Sequence, residues 1–365
     1  MRSPIVEFCA VSKAYEGRTV LTGLDMDVHE GEFLTLLGPS GCGKTTALRL
    51  LAGFETPDDG EIRLEGRVIH SLPPEQRPVN TVFQNYALFP HMTVEQNISF
   101  GLRMKRIPPA EIRRQVREAL DMVRLPDLSS QKPGQLSGGQ QQRIALARAL
   151  INHPRVLLLD ESLSALDSRL RKSMQSELKA LHRQLGLTFI FVTHDQEEAL
   201  SMSDRVAIMR DGVIQQIGTP RDIYQTPVNA FVARFIGESN LLEGEVVRKA
   251  DADHADILLE NQVFRLPVSV AVTPGKRVNV LLRPQDLQLE PATLSPSDEG
   301  RLYGIIEDRI YKGMTVDTHI RLDSGTLLYA SAFFDGRDYQ LTPGRRVSVT
   351  WAPNLATVLS DDATV

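Results

Sequence analysis

Cysteine is almost missing: Cys9 and Cys42 are the two thiols in 365 residues. Two thiols cannot make the disulfide framework of a small secreted scaffold. At this length the chain can bury a hydrophobic core without staples, and a reducing, cytosolic setting is the expectation. Long apolar runs are missing too. No stretch approaches the ~18–20 consecutive apolar residues of a membrane-spanning helix, and residues 1–20 lack the apolar core and small-residue cleavage site of a signal peptide. Neither charge sign is in excess. The 41 Lys and Arg residues stand against 46 Asp and Glu, a formal net charge of -5, which excludes the broad basic surface of a dedicated nucleic-acid binder. There is no heptad run, solenoid repeat or low-complexity tract. What is present, 42% hydrophobic and 24% charged residues, is globular composition. At roughly 150 residues per domain, the length suggests two domains.

The texture changes near residue 240. Before it, apolar runs alternate with segments of helical period. Glu32–Leu37 reads as a strand running into a glycine-rich loop. Val156–Leu159 and Leu187–Thr193 are short continuous apolar runs, as expected of strands buried on both faces of a parallel sheet. Between them Leu170, Met174, Leu178, Leu181 and Leu185 recur at helical spacing, with Gly186 as the stop. Strand, helix, strand implies a crossover. Ile112, Val116, Leu120 and Val123 mark another amphipathic helix, in a mostly helical insert from Pro90 to Leu150. After residue 240 the chain reads as short strands and turns. Ile257–Leu259 and Val263–Leu266 flank Glu260-Asn261. Thr318–Leu322 and Thr326–Ala330 flank Asp323-Ser324-Gly325. Val278–Leu282 is a further strand, and Val347–Trp351 closes the set. A small β-barrel or sandwich is expected.

Three motifs carry chemistry. Gly38-Pro39-Ser40-Gly41-Cys42-Gly43-Lys44-Thr45-Thr46 fits the phosphate-loop pattern between a strand and a helix. Its glycines turn backbone N–H groups inward, and the helix start adds a positive dipole end. Lys44 is placed to reach the β- and γ-phosphates, and the Thr45 hydroxyl to hold Mg²⁺. Cys42, close to the helix start, is open to two readings. One is a reactive thiol of lowered pKa; the other, which is the expectation, is a loop residue chosen for size. The run Val156–Leu159 ends in Asp160-Glu161. Alternation on a strand points these carboxylates to opposite sides, so Asp160 can serve the Mg²⁺ shell and Glu161 can act as general base. Leu136-Ser137-Gly138-Gly139-Gln140 precedes a helix, with Ser137 as N-cap and two glycines exposing N–H groups at its dipole end. It is a second anion site.

With these motifs in this order the sequence resembles the ATP-binding subunits of ABC transporters, for which the LSGGQ stretch at 136–140 is the most specific signature. The resemblance implies an α/β fold: a P-loop ABC ATPase domain over 1–237, with a parallel β core and a helical subdomain at about 90–150. A C-terminal all-β, OB-like transport-associated domain follows over 238–365. It implies further roles. Tyr15 stacks on adenine. Gln84 senses Mg²⁺ and the γ-phosphate. Asp167, in Ser164-Ala165-Leu166-Asp167, links two sites across a dimer, and His194 is the switch histidine. Two copies pair head to tail, with each ATP between Lys44 of one and Ser137 of the other.

Asn85–Met92 resembles the region of importers that receives a helix of the membrane subunit. Leu281-Leu282-Arg283-Pro284-Gln285-Asp286 resembles an Arg-Pro-Glu motif of importer tails, with Gln285 in place of Glu. Within the family the match is to the ATP-binding subunits of bacterial spermidine/putrescine importers. It is carried by Ser162 after Asp160-Glu161, by Phe231–Glu238 and by Tyr311–Thr315. That implies ATP and Mg²⁺ as cofactors and a homodimer with two membrane permease subunits and a solute-binding protein. It also implies a peripheral place on the cytoplasmic face of the inner membrane, with no nucleic-acid partner. The alternatives are the same engine for a sugar, glycerol phosphate or ferric iron, or a non-transport ABC ATPase.

Overall fold

The structure, a computed structural model, describes residues 4–163, 167–268, 271–292, 300–334, 336 and 341–360. Its backbone divides into two units, Met1–Arg221 and Asp222–Val365. In the first unit the order is β1 (Pro4–Tyr15), β2 (Arg18–His29), β3 (Phe33–Leu37), α1 (Lys44–Ala52), β4 (Asp59–Leu64), β5 (Arg67–Val68), β6 (Val79–Val82), α2 (Val94–Met104) and α3 (Pro109–Met122). Then come α4 (Gly138–Leu150), β7 (Val156–Asp160), α5 (Ser168–Leu185), β8 (Thr188–Thr193), α6 (Gln196–Met202), β9 (Arg205–Arg210) and β10 (Val213–Gly218).

The apolar runs become the inner strands of a six-stranded sheet, ordered β10-β9-β3-β8-β7-β6. The inner pairs are parallel, and β10 pairs antiparallel with β9. Because side chains alternate along a strand, each run feeds two cores. Leu34, Leu36, Val156, Leu158, Ile190 and Val192 join Ala47, Leu48 and Leu51 of α1 on one face. Phe33, Leu157, Leu159, Phe189 and Phe191 join Leu146 of α4, Met174 and Leu178 of α5 and Met202 of α6 on the other. Gly186 ends α5 at φ 63°, the left-handed position where glycine avoids a Cβ penalty. The insert at 90–150 packs α2, α3 and α4 around Ile98, Val116, Leu120 and Ile144.

A second, antiparallel sheet, β2-β1-β4-β5, covers the α1 face. Its strands carried no clear alternation in the sequence, and the reason is visible. The β1–β2 ladder shifts register several times, including at Ala10 (φ 49°) between Phe8 and Val11, so the apolar pattern slips from one face to the other.

The division falls within α7 (Pro220–Gln225), and α8 (Ala230–Phe235) follows it in the second unit. The unit continues with β11 (Asn240–Lys249), β12 (His254–Leu259), β13 (Gln262–Pro267), β14 (Arg277–Leu282) and β15 (Gln288–Pro291). After these come β16 (Leu302–Tyr311), β17 (Thr315–Leu322), β18 (Leu327–Phe333), β19 (Arg346–Thr350) and β20 (Thr357–Ser360). Two antiparallel sheets form, β13-β12-β11-β14-β20 and β15-β19-β16-β17-β18. A shared core lies between them, including Val246, Ile257, Ile306, Ile320 and Val349. Glu260 (φ 49°) and Asn261 (φ 66°) make the expected two-residue hairpin turn.

The set does not close at Trp351. β20 follows and pairs with β14, a strand too short to announce itself in the sequence. The backbone divides after Arg221, ahead of the expected 237/238 boundary, because α8 packs through Ala233 on Leu281 and Leu359. Arg283 completes that attachment. Its buried guanidinium donates to the carbonyls of Tyr224 (2.8 Å) and Ala233 (3.1 Å) and lies 4.2 Å from the Tyr224 ring. Gln285, where carboxylate is usual, donates its amide to the Tyr224 hydroxyl (2.9 Å).

In the first unit Arg77 does comparable work at the end of α1 away from the Gly38–Gly43 loop. Its side chain is buried and donates to Leu50 O (2.7 Å), Leu51 O (2.9 Å), Leu72 O (2.8 Å) and His70 O (3.1 Å). These carbonyls include Leu50 and Leu51 in the last turn of α1, where intrahelical donors run out and the cap N–H of Gly53 reaches Leu50 O at 3.3 Å. Arg77→Met should therefore orphan several buried carbonyls and destabilise the first unit by about 2–4 kcal/mol. Urea or thermal unfolding checks this; a midpoint unchanged from wild type would mean the carbonyls find other donors.

Candidate functional site

Parallel pairing brings the carboxyl ends of four strands to one edge. Leu37 pairs with Thr193, Asp160 with Val192 and Val82 with Leu159. The segments leaving these ends carry Gly38–Thr46, Glu161, His194 and Gln84. In open α/β sheets this edge is where ligands bind.

The loop after β3 passes so close to its neighbours at two glycines that neither has room for a side chain. A Cβ on Gly38 would lie 2.3 Å from Met209 O and 2.6 Å from Cys42 Sγ. Gly43, at φ 102°, precedes α1, and a Cβ there would strike Leu21 at 2.6 Å. Lys44 is buried, and its ammonium donates to Gly38 O (2.7 Å) and Pro39 O (2.9 Å), so it sits inside the curl of the loop. Cys42 is buried, and burial pushes its thiol up despite the nearby Lys44. This is the opposite of a helix-activated thiol and fits the size reading.

The Thr45 hydroxyl donates to Asp160 Oδ1 at 3.2 Å. Burial pushes the Asp160 carboxyl up; the Thr45 hydrogen bond opposes this and the Glu161 carboxylate adds to it. A hydroxyl and a carboxylate whose charge is disfavoured by burial make a fitting pair of oxygen donors for a hard cation, which would restore the charged form. Among the described residues no cluster of three or more His, Cys, Asp or Glu side chains forms a metal cage. A cation held here therefore needs phosphate and water oxygens to complete its shell, the usual arrangement for Mg²⁺.

Glu161 is not on the strand, so its divergence from Asp160 does not come from pleat alternation. It lies past the end of β7 at φ 45°, a left-handed backbone unusual for a non-glycine residue, with its N–H donated to Val192 O (3.0 Å). That turn aims the carboxylate at two partners. His194 Nδ1 is 3.4 Å from Oε1, and Gln84 Nε2 is 3.4 Å from Oε2. Strain of this kind concentrates at functional sites.

A cleft of about 540 Å³ opens here, within the roughly 300–1,000 Å³ of small-molecule sites. Tyr15, Ser40, Gly41, Gly43, Lys44, Thr45, Thr46 and Glu161 line it. Tyr15, at the end of β1, keeps 37% of its surface exposed. Sequence reading missed Arg18, Thr19, Val20, Asp211 and Gly212 of the same lining. Asp211 (φ 48°) and Gly212 (φ 83°) are the tight turn between β9 and β10. The Asp-Gly pair was a legible hairpin signal. Its approach to Val20, which leaves a Gly212 Cβ only 2.4 Å from Val20 O, was not.

The remaining residues lie elsewhere. Ser137 caps α4 in a capping box: its hydroxyl accepts from Gln140 N (3.4 Å), and Gln140 Oε1 accepts from Ser137 N (2.9 Å). A Cβ on Gly139 would crowd Leu170 at 3.1 Å. None of Leu136, Ser137, Gly138, Gly139 and Gln140 lines the Lys44 cleft, as far as the described residues go. Asp167 caps α5 by accepting from Leu170 N (2.9 Å); Ser164, Ala165 and Leu166 before it lie outside the described residues. The Asn85–Met92 segment turns inward in part, with Tyr86 buried and its carbonyl held by Arg148 (2.8 Å). Asn97 holds Phe89 from both sides, donating to its carbonyl (3.1 Å) and accepting from its N–H (2.8 Å).

Comparison with known proteins agrees with the fold. A family model described as ABC transporter covers residues 21–164, and one described as TOBE domain covers residues 280–359. The spermidine/putrescine import ATP-binding protein PotA of Aliivibrio fischeri is 54% identical, over 100% of this chain and 98% of its own. That of Salmonella typhimurium is 52% identical over 99% and 96%. Among solved structures, the dimeric post-hydrolysis state of the ATP-binding cassette MJ0796 bound to ADP and Pi is 32% identical. It has a TM-score of 0.53 and covers 59% of this chain and 99% of that one. The cbiO1 protein of Clostridium perfringens, part of the ABC transporter complex cbiONQ, is 29% identical with TM-score 0.57, covering 64% and 93%. The chain belongs to the family of ABC transporter ATP-binding proteins, with an ABC ATPase fold followed by an all-β TOBE domain.

Proposed function

We propose that this chain is the ATP-hydrolysing subunit of a bacterial ABC importer that takes up the polyamines spermidine and putrescine. The observation that carries the enzymatic part is the meeting of Lys44, the Thr45–Asp160 pair and the Glu161–His194–Gln84 group at one sheet edge. The cargo rests on the full-length likeness to spermidine/putrescine import ATP-binding proteins.

ATP lies with its adenine on Tyr15 and its phosphates in the cradle of Gly38, Pro39, Ser40, Gly41, Cys42, Gly43 and Thr46. The N–H groups and dipole of α1 face negative charge there. Lys44 exchanges its loop carbonyls for the β- and γ-phosphates. Thr45, Asp160 and Gln84 would hold Mg²⁺, which when bound neutralises charge on the β- and γ-phosphate oxygens. Glu161 accepts a proton from the water that attacks the γ-phosphorus, and ADP leaves with the bridging oxygen. His194 orients Glu161 and the γ-phosphate, and Gln84 positions the water from the other side. The residues supply mostly positioning and charge, as phosphoryl transfer requires.

The site is completed by a second copy, whose Leu136-Ser137-Gly138-Gly139-Gln140 presents the N-terminus of α4 to the γ-phosphate. This reading is supported by the separation of that segment from the Lys44 cleft in one chain. Asp167, at the start of α5, links the two sites. The cargo crosses through two membrane permease subunits supplied by a solute-binding protein, with this chain peripheral on the cytoplasmic face of the inner membrane. Among the described residues no helix is long and apolar enough to cross a membrane itself.

Glu161→Gln should keep ATP affinity and lower turnover by at least about 100-fold, trapping a closed dimer visible by gel filtration; hydrolysis at wild-type rate would remove Glu161 as the base. In cells lacking this chain, wild type but not Glu161→Gln should restore uptake of labelled putrescine and spermidine, and no uptake by expressed wild type with its partners present would move the cargo to another solute. Ser137→Arg should abolish hydrolysis while leaving nucleotide affinity of the monomer near wild type. Loss of both together would mean that the site is not shared between copies.

A further inference from the structure

His194 has no helix or strand of its own. It is the single link between the end of β8 at Thr193 and the N-cap of α6 at Asp195. An imidazole on so short a connection, with its side chain 56% exposed, needs its flanking backbone fixed from behind if it is to stay aimed at Glu161. The structure supplies this with groups that none of the motifs accounts for.

Glu198, on the first turn of α6, is 2% exposed. Its Oε2 accepts from the Thr193 hydroxyl at 2.5 Å. The same hydroxyl accepts from Asp195 N at 3.0 Å, so one buried carboxylate ties the residues before and after His194. Asp195 in turn accepts from the N–H groups of Glu197 (2.8 Å) and Glu198 (3.3 Å). Arg171 comes across from α5. Its Nη1 donates to Asp195 Oδ2 at 3.2 Å, and its Nε lies 3.9 Å from Glu198 Oε1. Arg171 stands one turn after Asp167, donating its own N–H to Asp167 O at 2.8 Å. A buried carboxylate is costly unless it is paired and hydrogen-bonded. Glu198 is both, and burial pushes its carboxyl up against these partners. Core packing alone would be served by an apolar residue here.

We propose that Arg171, Glu198 and Thr193 are positioning residues: a clamp behind His194 that holds the imidazole toward Glu161 and ties its orientation to the Asp167 end of α5. None of the three is among the described residues that line the cleft, so the clamp acts on the rate of hydrolysis through His194 and leaves nucleotide binding alone. The inference rests on the assignment of His194 and Glu161 to the reaction.

The test uses the full chain, with kcat and KM for ATP, nucleotide affinity and thermal midpoint measured for each variant. Thr193→Val keeps the shape and removes the hydroxyl. It should lower kcat by about 10- to 100-fold, the range of a small misplacement of a reacting group, with KM and nucleotide affinity within about twofold of wild type. Thr193→Ser returns the hydroxyl and should recover kcat to within about threefold of wild type. Arg171→Met should behave like Thr193→Val. In a His194→Ala background neither substitution should lower kcat further, since the residue through which they act is gone. If His194→Ala itself turns over at wild-type rate, the role of His194 fails. If His194→Ala is slow while Thr193→Val matches wild type, or the losses multiply in the double variants, the clamp is overturned and the role of His194 stands. Thr193→Val with a raised KM and weakened nucleotide binding would also overturn it.

Discussion

The geometry of this protein depends on a parallel sheet buried on both faces. Antiparallel strands can be half wet, but β3, β7 and β8 are buried along their length up to Asp160, and are apolar apart from Thr35, Asp160, Thr188 and Thr193; their direction is shared. Shared direction sends every carboxyl end to the same edge. Polar groups cannot stay inside such strands without partners, so the chain places its chemistry in the residues just beyond them. The phosphate loop follows Leu37, Glu161 follows Asp160, His194 follows Thr193 and Gln84 lies beyond Val82.

Once the edge is set, close backbone contact shapes it. Gly38 and Gly212 are packed so tightly against Met209 and Val20 that a methyl group would meet a carbonyl at 2.3 Å and 2.4 Å. Glu161 takes a left-handed backbone instead of a glycine doing so. The cost of that conformation is of order 1–3 kcal/mol, and its N–H hydrogen bond to Val192 offsets part of it. The result is a carboxylate that meets both His194 and Gln84, which a continuing strand would have sent elsewhere.

Guanidinium groups, buried at Arg77 and Arg283 and half-buried at Arg148, recur as the means of closing loose ends. Arg77 answers the carbonyls at the end of α1, Arg148 those of Tyr86 and Ala87, and Arg283 those of Tyr224 and Ala233. In each case burial pulls the guanidinium below its ordinary range, yet far from neutrality at any physiological pH. A planar cation with five donors can satisfy several carbonyls at once. Arg171 extends the pattern from carbonyls to carboxylates, linking α5 to the turn that carries His194.

Much of the first unit was legible because its signals are local. A phosphate loop, an acidic pair after an apolar run and a serine before Gly138-Gly139 each report their chemistry through residue type and spacing. The helices at 109–122 and 168–185 report themselves through apolar period. The bulged β1–β2 ladder and the short β20 were not legible, since register shifts and brevity erase the period of two. Sequence alone therefore pointed to phosphate and cation chemistry and singled out Lys44, Thr45, Asp160 and Glu161 for it, because backbone N–H groups, a hydroxyl and carboxylates at fixed spacing can do few other things. Only the tertiary structure decided that Arg18, Asp211 and Gly212 share the cleft, that Glu161 turns off its strand, and that Glu198 and Arg171 stand behind His194. Those relations join residues far apart in the chain, and they exist only once packing has brought separate elements within hydrogen-bond reach.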